Sequence, residues 1–283
     1  MQYPDFTALR ITDADGVAWV TLSHPPLNLL DATLVPELKR FVRAVGDDTD
    51  VRVVVVQSDV PEFFSAHVDA CFAADPAGFM ALGADDTGTA QLNPMQHLML
   101  SIRSLPQVTI AKLSGRLRGG GNELATAMDM RFAAAGRTWM SQLETRLGII
   151  PGGGGTQLLS SLIGRPRALE AILGAGLYDT DTAERYGWIN RAVPAGELDA
   201  FVADLARRMA ALTPQQIAAA KAAVNAATGG DRLEEGLTRE AQALGLVYPS
   251  PQAALDRTAR YLDAGMQTRA GELDLEAVMD RAA

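Results

Sequence analysis

Residues 51–57 read VRVVVVQ, and this run constrains the fold more than any other stretch. β-Branched side chains crowd a helix at χ1 and fit a pleated strand. Four successive valines leave neither face of that strand polar, so it must be covered on both sides. Helices packed over a sheet are the expected cover, which makes the chain α/β. Two more strands are expected at 8–12 and 17–22, joined through Asp-Ala-Asp-Gly at 13–16. Pro25 and Pro26 stop the second. Asp31 is placed to cap a helix reaching about Val45, with Leu34, Leu38, Phe41, Val42 and Val45 near helical spacing.

Residues 75–89 are rich in Gly, Ala, Asp and Thr, which fits a loop or short broken helices. A helix is expected at 94–104, a strand at 109–114, a helix at 120–128, and a strand pair at 131–135 and 138–141. Beyond about Thr156 the pattern is mainly helical. Segments 200–212, 214–228, 232–246 and 251–264 are separated by Thr-Pro, Gly-Gly and Tyr-Pro-Ser-Pro breaks. A core over residues 1–200 and a helical region over 201–283 are therefore expected.

The bulk numbers exclude several classes. With 34 acidic and 25 basic side chains the formal charge is -9, whereas general nucleic-acid binding needs a basic footprint. Cys71 is the only cysteine, and His24, His67 and His97 are scattered, so neither a disulfide scaffold nor a zinc site is expected. No stretch reaches the roughly 18 uninterrupted apolar residues of a membrane span. The opening MQYPDFTALR lacks the apolar run of a signal peptide. The expectation is a cytoplasmic protein without nucleic-acid or membrane partners.

Three segments carry chemistry. Residues 113–124, LSGRLRGGGNEL, end a strand and open a helix through Gly119, Gly120 and Gly121. Glycine lets a ligand approach the backbone, and a helix N-terminus presents unpaired N–H groups where an oxyanion would form. The stretch lacks the Gly-Lys-Ser/Thr ending of a phosphate loop. Glu123 sits in the first turn, where a glutamate also compensates the helix dipole. Residues 142–156, QLETRLGIIPGGGGT, place Glu144 after a strand and before a flexible turn. Two carboxylates in one pocket can hold a water and divide acid and base roles. Residues 63–70, FFSAHVDA, follow the valine strand with small residues, a natural place for a second backbone donor.

In this order and spacing, the three segments resemble the crotonase (enoyl-CoA hydratase/isomerase) superfamily over nearly the whole chain, residues 8 to 264. The resemblance implies a crotonase-like spiral of ββα turns with a helical C-terminal oligomerisation region, forming a homotrimer or a dimer of trimers. It implies an oxyanion hole made by the N–H groups of Val68 and Gly120, beside Gly119. Glu123 and Glu144 align with the paired acid/base glutamates of hydratases. Ala66, His67 and Asp69 fall in the family's Ala-Gly-x-Asp motif. PPLNLL at 25–30, with Pro26, Leu27 and Asn28, resembles the CoA-contacting segment, Asn28 shaping the turn. Asp129 matches a structural acid after the glycine-led helix. Two positions depart from the pattern. His67 replaces the motif's glycine, and Arg118 replaces a small apolar residue. Arg118 is suited to an ion pair within the protein or to a substrate carboxylate.

The implied reaction is hydration of a trans-2-enoyl-CoA to the 3-hydroxyacyl-CoA, with no metal and no cofactor beyond the coenzyme A that the substrate carries. The superfamily also includes isomerases, hydrolases and decarboxylases, and fold alone does not select among them. A reading of a different class is a non-catalytic CoA-binding or scaffold protein.

Overall fold

The computed structural model describes residues 3, 5–87, 91–227, 233–245, 248 and 250–282. Its strands are β1 (Leu9–Ala14), β2 (Val17–Leu22), β3 (Val53–Ser58), β4 (Phe63–Ser65), β5 (Val108–Arg118), β6 (Met130–Ser141), β7 (Tyr178–Asp179) and β8 (Arg191–Pro194). They form one mostly parallel sheet along the path β1-β2-β3-β5-β6-β7, with β4 joined to β5 and β8 to β6. The valine run becomes β3, between β2 and β5. Val54 and Val56 join one apolar cluster, while Val53 and Val55 join another on the opposite face. This is the two-sided burial that the run of valines requires. β1 and β2 pair antiparallel, and β1 continues to Ala14, two residues past its expected end.

β5 and β6 differ most from the sequence reading. Each is a single long strand where shorter ones are expected. β5 pairs first with β3 and then, at Arg116 and Leu117, with β4. β6 pairs first with β8 and then with β7. Each strand turns its corner at a glycine with positive φ, Gly115 at 86° and Gly136 at 69°. A Cβ on Gly115 would lie 2.4 Å from the Glu62 carbonyl carbon, so the corner also needs the missing side chain. These corners make the spiral: one strand serves two successive turns. The second half of β5 ends at Arg118, and Gly119 then leads into the next helix.

The helices are α1 (Leu34–Gly46), α2 (Pro76–Ala81), α3 (Pro94–Arg103), α4 (Gly120–Ala127), α5 (Gly155–Ile163), α6 (Arg165–Gly174), α7 (Thr180–Tyr186), α8 (Leu198–Ala210), α9 (Pro214–Ala227), α10 (Leu233–Leu244), α11 (Gln252–Asp263), α12 (Arg269–Leu273) and α13 (Leu275–Ala282). Asp31 Oδ1 accepts from the N–H groups of Thr33 and Leu34, both at 2.9 Å, and so satisfies donors where α1 begins. α3 opens on a reciprocal capping box between Asn93 and Gln96. α8 contributes Val202 and Ala206 to the cluster beneath Val53 and Val55, so residue 200 lies inside a helix of the core. The last helices return to the core: Tyr261, Met266, Leu275 and Met279 bury against Ala70 and Leu143. Positions 228–232 and 246, with the expected Gly-Gly break, and positions 88–89 of the expected loop lie outside the described residues. Among the described residues no helix is long and apolar enough to cross a membrane.

Candidate active site

A cavity of about 110 Å³ lies where β4, α4 and the returning C-terminal helices meet. Two backbone segments form its floor. Leu30 bridges Val68 in parallel register: Leu30 N–H donates to His67 O at 3.0 Å, and Asp69 N–H donates to Leu30 O at 3.1 Å. In such a bridge the amide of the central residue, Val68, points away from Leu30. Opposite stands α4. Gly119 N–H donates to Ser141 O, and Gly119 O accepts from Glu123 N–H as the helix starts. Gly120 is the first helical residue, so its N–H has no intrahelical acceptor. A Cβ on Gly120 would lie 2.3 Å from Val68 Cγ2. Glycine at 120 thus lets the helix start pack directly against Val68.

The carboxylates come from the helix and the strand end beside this floor. Glu123 Oε1 accepts from the N–H groups of Gly153 (2.9 Å) and Gly155 (2.8 Å). A Cβ on Gly153 would sit 2.4 Å from Glu123 Oε2, which explains the need for glycine there. Glu240, from α10, takes the alternate amides of the same ribbon: Oε1 accepts from Gly154 N–H (2.7 Å) and Oε2 from Thr156 N–H (2.9 Å). The ribbon 153–156 is thus held between two acids. Burial, followed by the charges of Glu144 and Glu240, pushes the Glu123 carboxyl well above the usual carboxylate range, outweighing its two N–H bonds. Burial pushes Glu144 up to about 7, with Glu240 adding to the rise and Gln142 and His67 opposing it.

Glu144 is oriented by a chain whose directions are fixed by its first member. Trp188 Nε1–H can only donate, and it bonds Asn122 Oδ1 at 2.9 Å. Asn122 Nδ2 therefore donates to Gln142 Oε1 (2.5 Å), and Gln142 Nε2 donates to Glu144 Oε1 (2.9 Å). Glu144 Oε2 is buried with no hydrogen-bond partner among the described residues. Apolar walls complete the cavity, including Phe72, Phe79, Leu147 and Ile150 from the core and Leu244 and Tyr248 from the C-terminal region.

The structure brings His67, Val68, Asp69, Gly119, Gly120, Glu123 and Glu144 together around this cavity. Pro26, Leu27, Asn28, Ala66 and Arg118 are not part of its lining. Leu27 and Ala66 pack with Val60 and Phe63 in a small apolar cluster. Asn28 has a φ of 49°, accepts from His24 N–H, and donates to Ser58 Oγ and Phe64 O, so it builds the turn. Arg118 is fully buried against Glu272 and Glu276, in a pairing within the protein. Asp129 binds Thr109 and Lys221 away from the cavity. Sequence reading missed Gln142, Asn122, Trp188, Glu240 and Glu272. Gln142 and Asn122 lie within the quoted motifs, but Trp188, which anchors their chain, does not. Glu240 and Glu272 meet theirs across 84 and 205 residues of chain, and no local pattern marks such contacts.

Residues 12–254 match the model of the enoyl-CoA hydratase/isomerase family. Human mitochondrial methylglutaconyl-CoA hydratase is 35% identical over 202 residues, 70% of this chain and 57% of that protein. The match thus spans less than two thirds of that relative's length. Crotonyl-CoA hydratase of Syntrophomonas wolfei is 31% identical over 238 residues, covering 82% of this chain and 86% of that one. A Streptomyces avermitilis crystal structure, provisionally described as an enoyl-CoA hydratase, superposes with a TM-score of 0.91 at 45% identity, covering 98% and 99% of the two chains.

Proposed function

Since this chain belongs to the enoyl-CoA hydratase/isomerase family, we propose that it adds water across the double bond of a trans-2-enoyl-CoA to give the 3-hydroxyacyl-CoA. The observation that carries this reading is the unequal carboxyl pair, Glu123 and Glu144, lining one apolar cavity with Val68 and Gly120, which pack against each other. The thioester oxygen accepts hydrogen bonds from the amides of Val68 and Gly120. Charge grows on that oxygen as water attacks, so the amides stabilise the transition state more than the ground state. Two carboxyls crowded into a dry site do not both ionise easily. Glu123, the more strongly raised, carries the proton. Glu144, nearer neutrality, holds the water through Oε2 and accepts its proton as oxygen bonds to C3. The enolate then takes the Glu123 proton at C2. Coenzyme A enters only as part of the substrate.

An isomerase needs a carboxyl to carry a proton between C2 and C4, but no held water. The unpartnered Glu144 Oε2 supports hydration over that alternative. The same reading places the protein in the cytoplasm as a homotrimer or a dimer of trimers. Light scattering on the purified protein checks the assembly. The test of function is loss of the conjugated thioester absorbance of crotonyl-CoA and of a longer enoyl-CoA, with Glu123→Gln and Glu144→Gln beside the native protein. Turnover lost in both variants is the expected result. Binding of CoA without turnover would return the protein to the non-catalytic class.

A further inference from the structure

His67 lies on the cavity wall, yet its ring is held from two sides. Nδ1 is 2.8 Å from Val68 O, and Nε2 is 3.0 Å from Glu272 Oε1. A carbonyl oxygen has no proton to give, so Nδ1 must carry one. Glu272 Oε1 already accepts from Gln267 N–H at 2.7 Å, and Glu272 Oε2 faces the Arg118 guanidinium at 3.6 Å. Both surroundings favour a carboxylate at 272, which leaves Nε2 as a second donor. Every contact of the ring is then satisfied by one form alone, the imidazolium.

We propose that His67 is carried as a buried imidazolium, clamped between Val68 O and Glu272, and that this fixed cation on the wall of the cavity it shares with Glu144 favours the ionised form of that acid.

The charges around the ring close the argument. Glu272 faces it from α12, Arg118 from the end of β5, and Glu144 across the cavity. Glu276, from α13, binds Arg118 at 2.9 Å. Asp69, on the ring's own segment, is taken by Gln267 Nε2 and Cys71 N–H. Two cations, His67 and Arg118, thus meet two anions, Glu272 and Glu276, and the cluster is neutral. Burial works to strip the His67 proton, but the charge and hydrogen bond of Glu272 outweigh it and hold the ring above its ordinary value. His67 favours the ionised form of Glu144, adding to the larger effect of the Gln142 hydrogen bond. The cation on the cavity wall is therefore held in place by a glutamate 205 positions away. Arg118 and His67, the two departures from the family pattern, form one device.

The role rests on the proposed hydration, but its test does not use turnover. Ring nitrogens are observed by NMR in 15N-histidine protein; the chain has three histidines, and His67→Gln assigns the signal. The expected spectrum shows both His67 nitrogens protonated at pH 7. A neutral tautomer at pH 7 would overturn the proposal. The Glu144 carboxyl is then titrated by 13C NMR in native and His67→Gln protein, with Glu144→Gln for assignment. Its midpoint should rise by about 1 unit when the cation is removed. An unchanged midpoint in a folded variant would overturn the second half. Glu272→Gln provides a separate variant: the same ring should lose its proton at a lower pH than in the native protein, and an unmoved midpoint contradicts the clamp.

Discussion

Glu123, Glu144 and Glu240 lie buried on one side of the cavity, and among the described residues the hydrogen-bond donors that reach their carboxylates are neutral: glycine amides, Thr156, Gln96 and Gln142. On the other side His67 and Arg118 are buried against Glu272 and Glu276, cation to anion. Both clusters tie the C-terminal helices to the core. They differ in what they do with a proton. Acids facing only neutral donors cannot all ionise in a dry site, so that side retains a proton near neutral pH and can hand it over. A compensated cluster holds its charges over a wide pH range and serves as scaffold and fixed field. The comparison assigns chemistry to the first side and bias to the second.

The largest expected effect comes from removing the base of the acidic side. Glu144→Gln should lower kcat about 10²–10⁴-fold while the protein still binds thioester, as read by stopped-flow turnover and a thermal-shift titration with CoA. Breaking the compensated side should act on the fold first. Glu272→Ala leaves two buried cations short of a partner, and urea denaturation should report a loss of about 3–5 kcal/mol. If that variant lost activity at unchanged stability, the division between the two sides would be wrong.

The next effect concerns pH. With Glu144 as the base, kcat/KM should fall as pH drops through about 7, because protonation removes the acceptor. Glu240 adds negative charge near both acids and raises both. In Glu240→Gln that push is gone, so the acid limb should move to lower pH by about 1 unit or less. A limb that moved up would show that Glu240 acts chiefly by holding the ribbon 153–156. The smallest effect is expected at the far end of the orienting chain. Trp188→Phe leaves Asn122 Oδ1 without its donor, costing about 1–3 kcal/mol in stability and letting Gln142 turn. A modest fall in kcat with unchanged KM should accompany it.

Much of this was legible in residue order. The valine run specified a strand covered on both faces, and β3 is that strand. The glycines at 119–121 marked the strand-to-helix turn, and Glu123 and Glu144 stood out because each followed a strand end near a flexible turn. The corners of β5 and β6 were not legible. Gly115 and Gly136 look like strand breaks, yet each bends a strand that continues, because pairing with a different neighbour takes over. The second half of each charge cluster was hidden for another reason. His67 and Arg118 stand out as misfits against the family pattern, but Glu272 lies in a stretch that carries no motif. Only the return of α12 onto the core joins them.

The central claim is that water itself is added at C3 within this cavity. Crotonyl-CoA turned over in water enriched in ¹⁸O, with the product analysed by mass spectrometry, tests it most directly. Hydration at C3 puts one ¹⁸O in the product, absent with Glu144→Gln. A product with a shifted double bond and no label would contradict it.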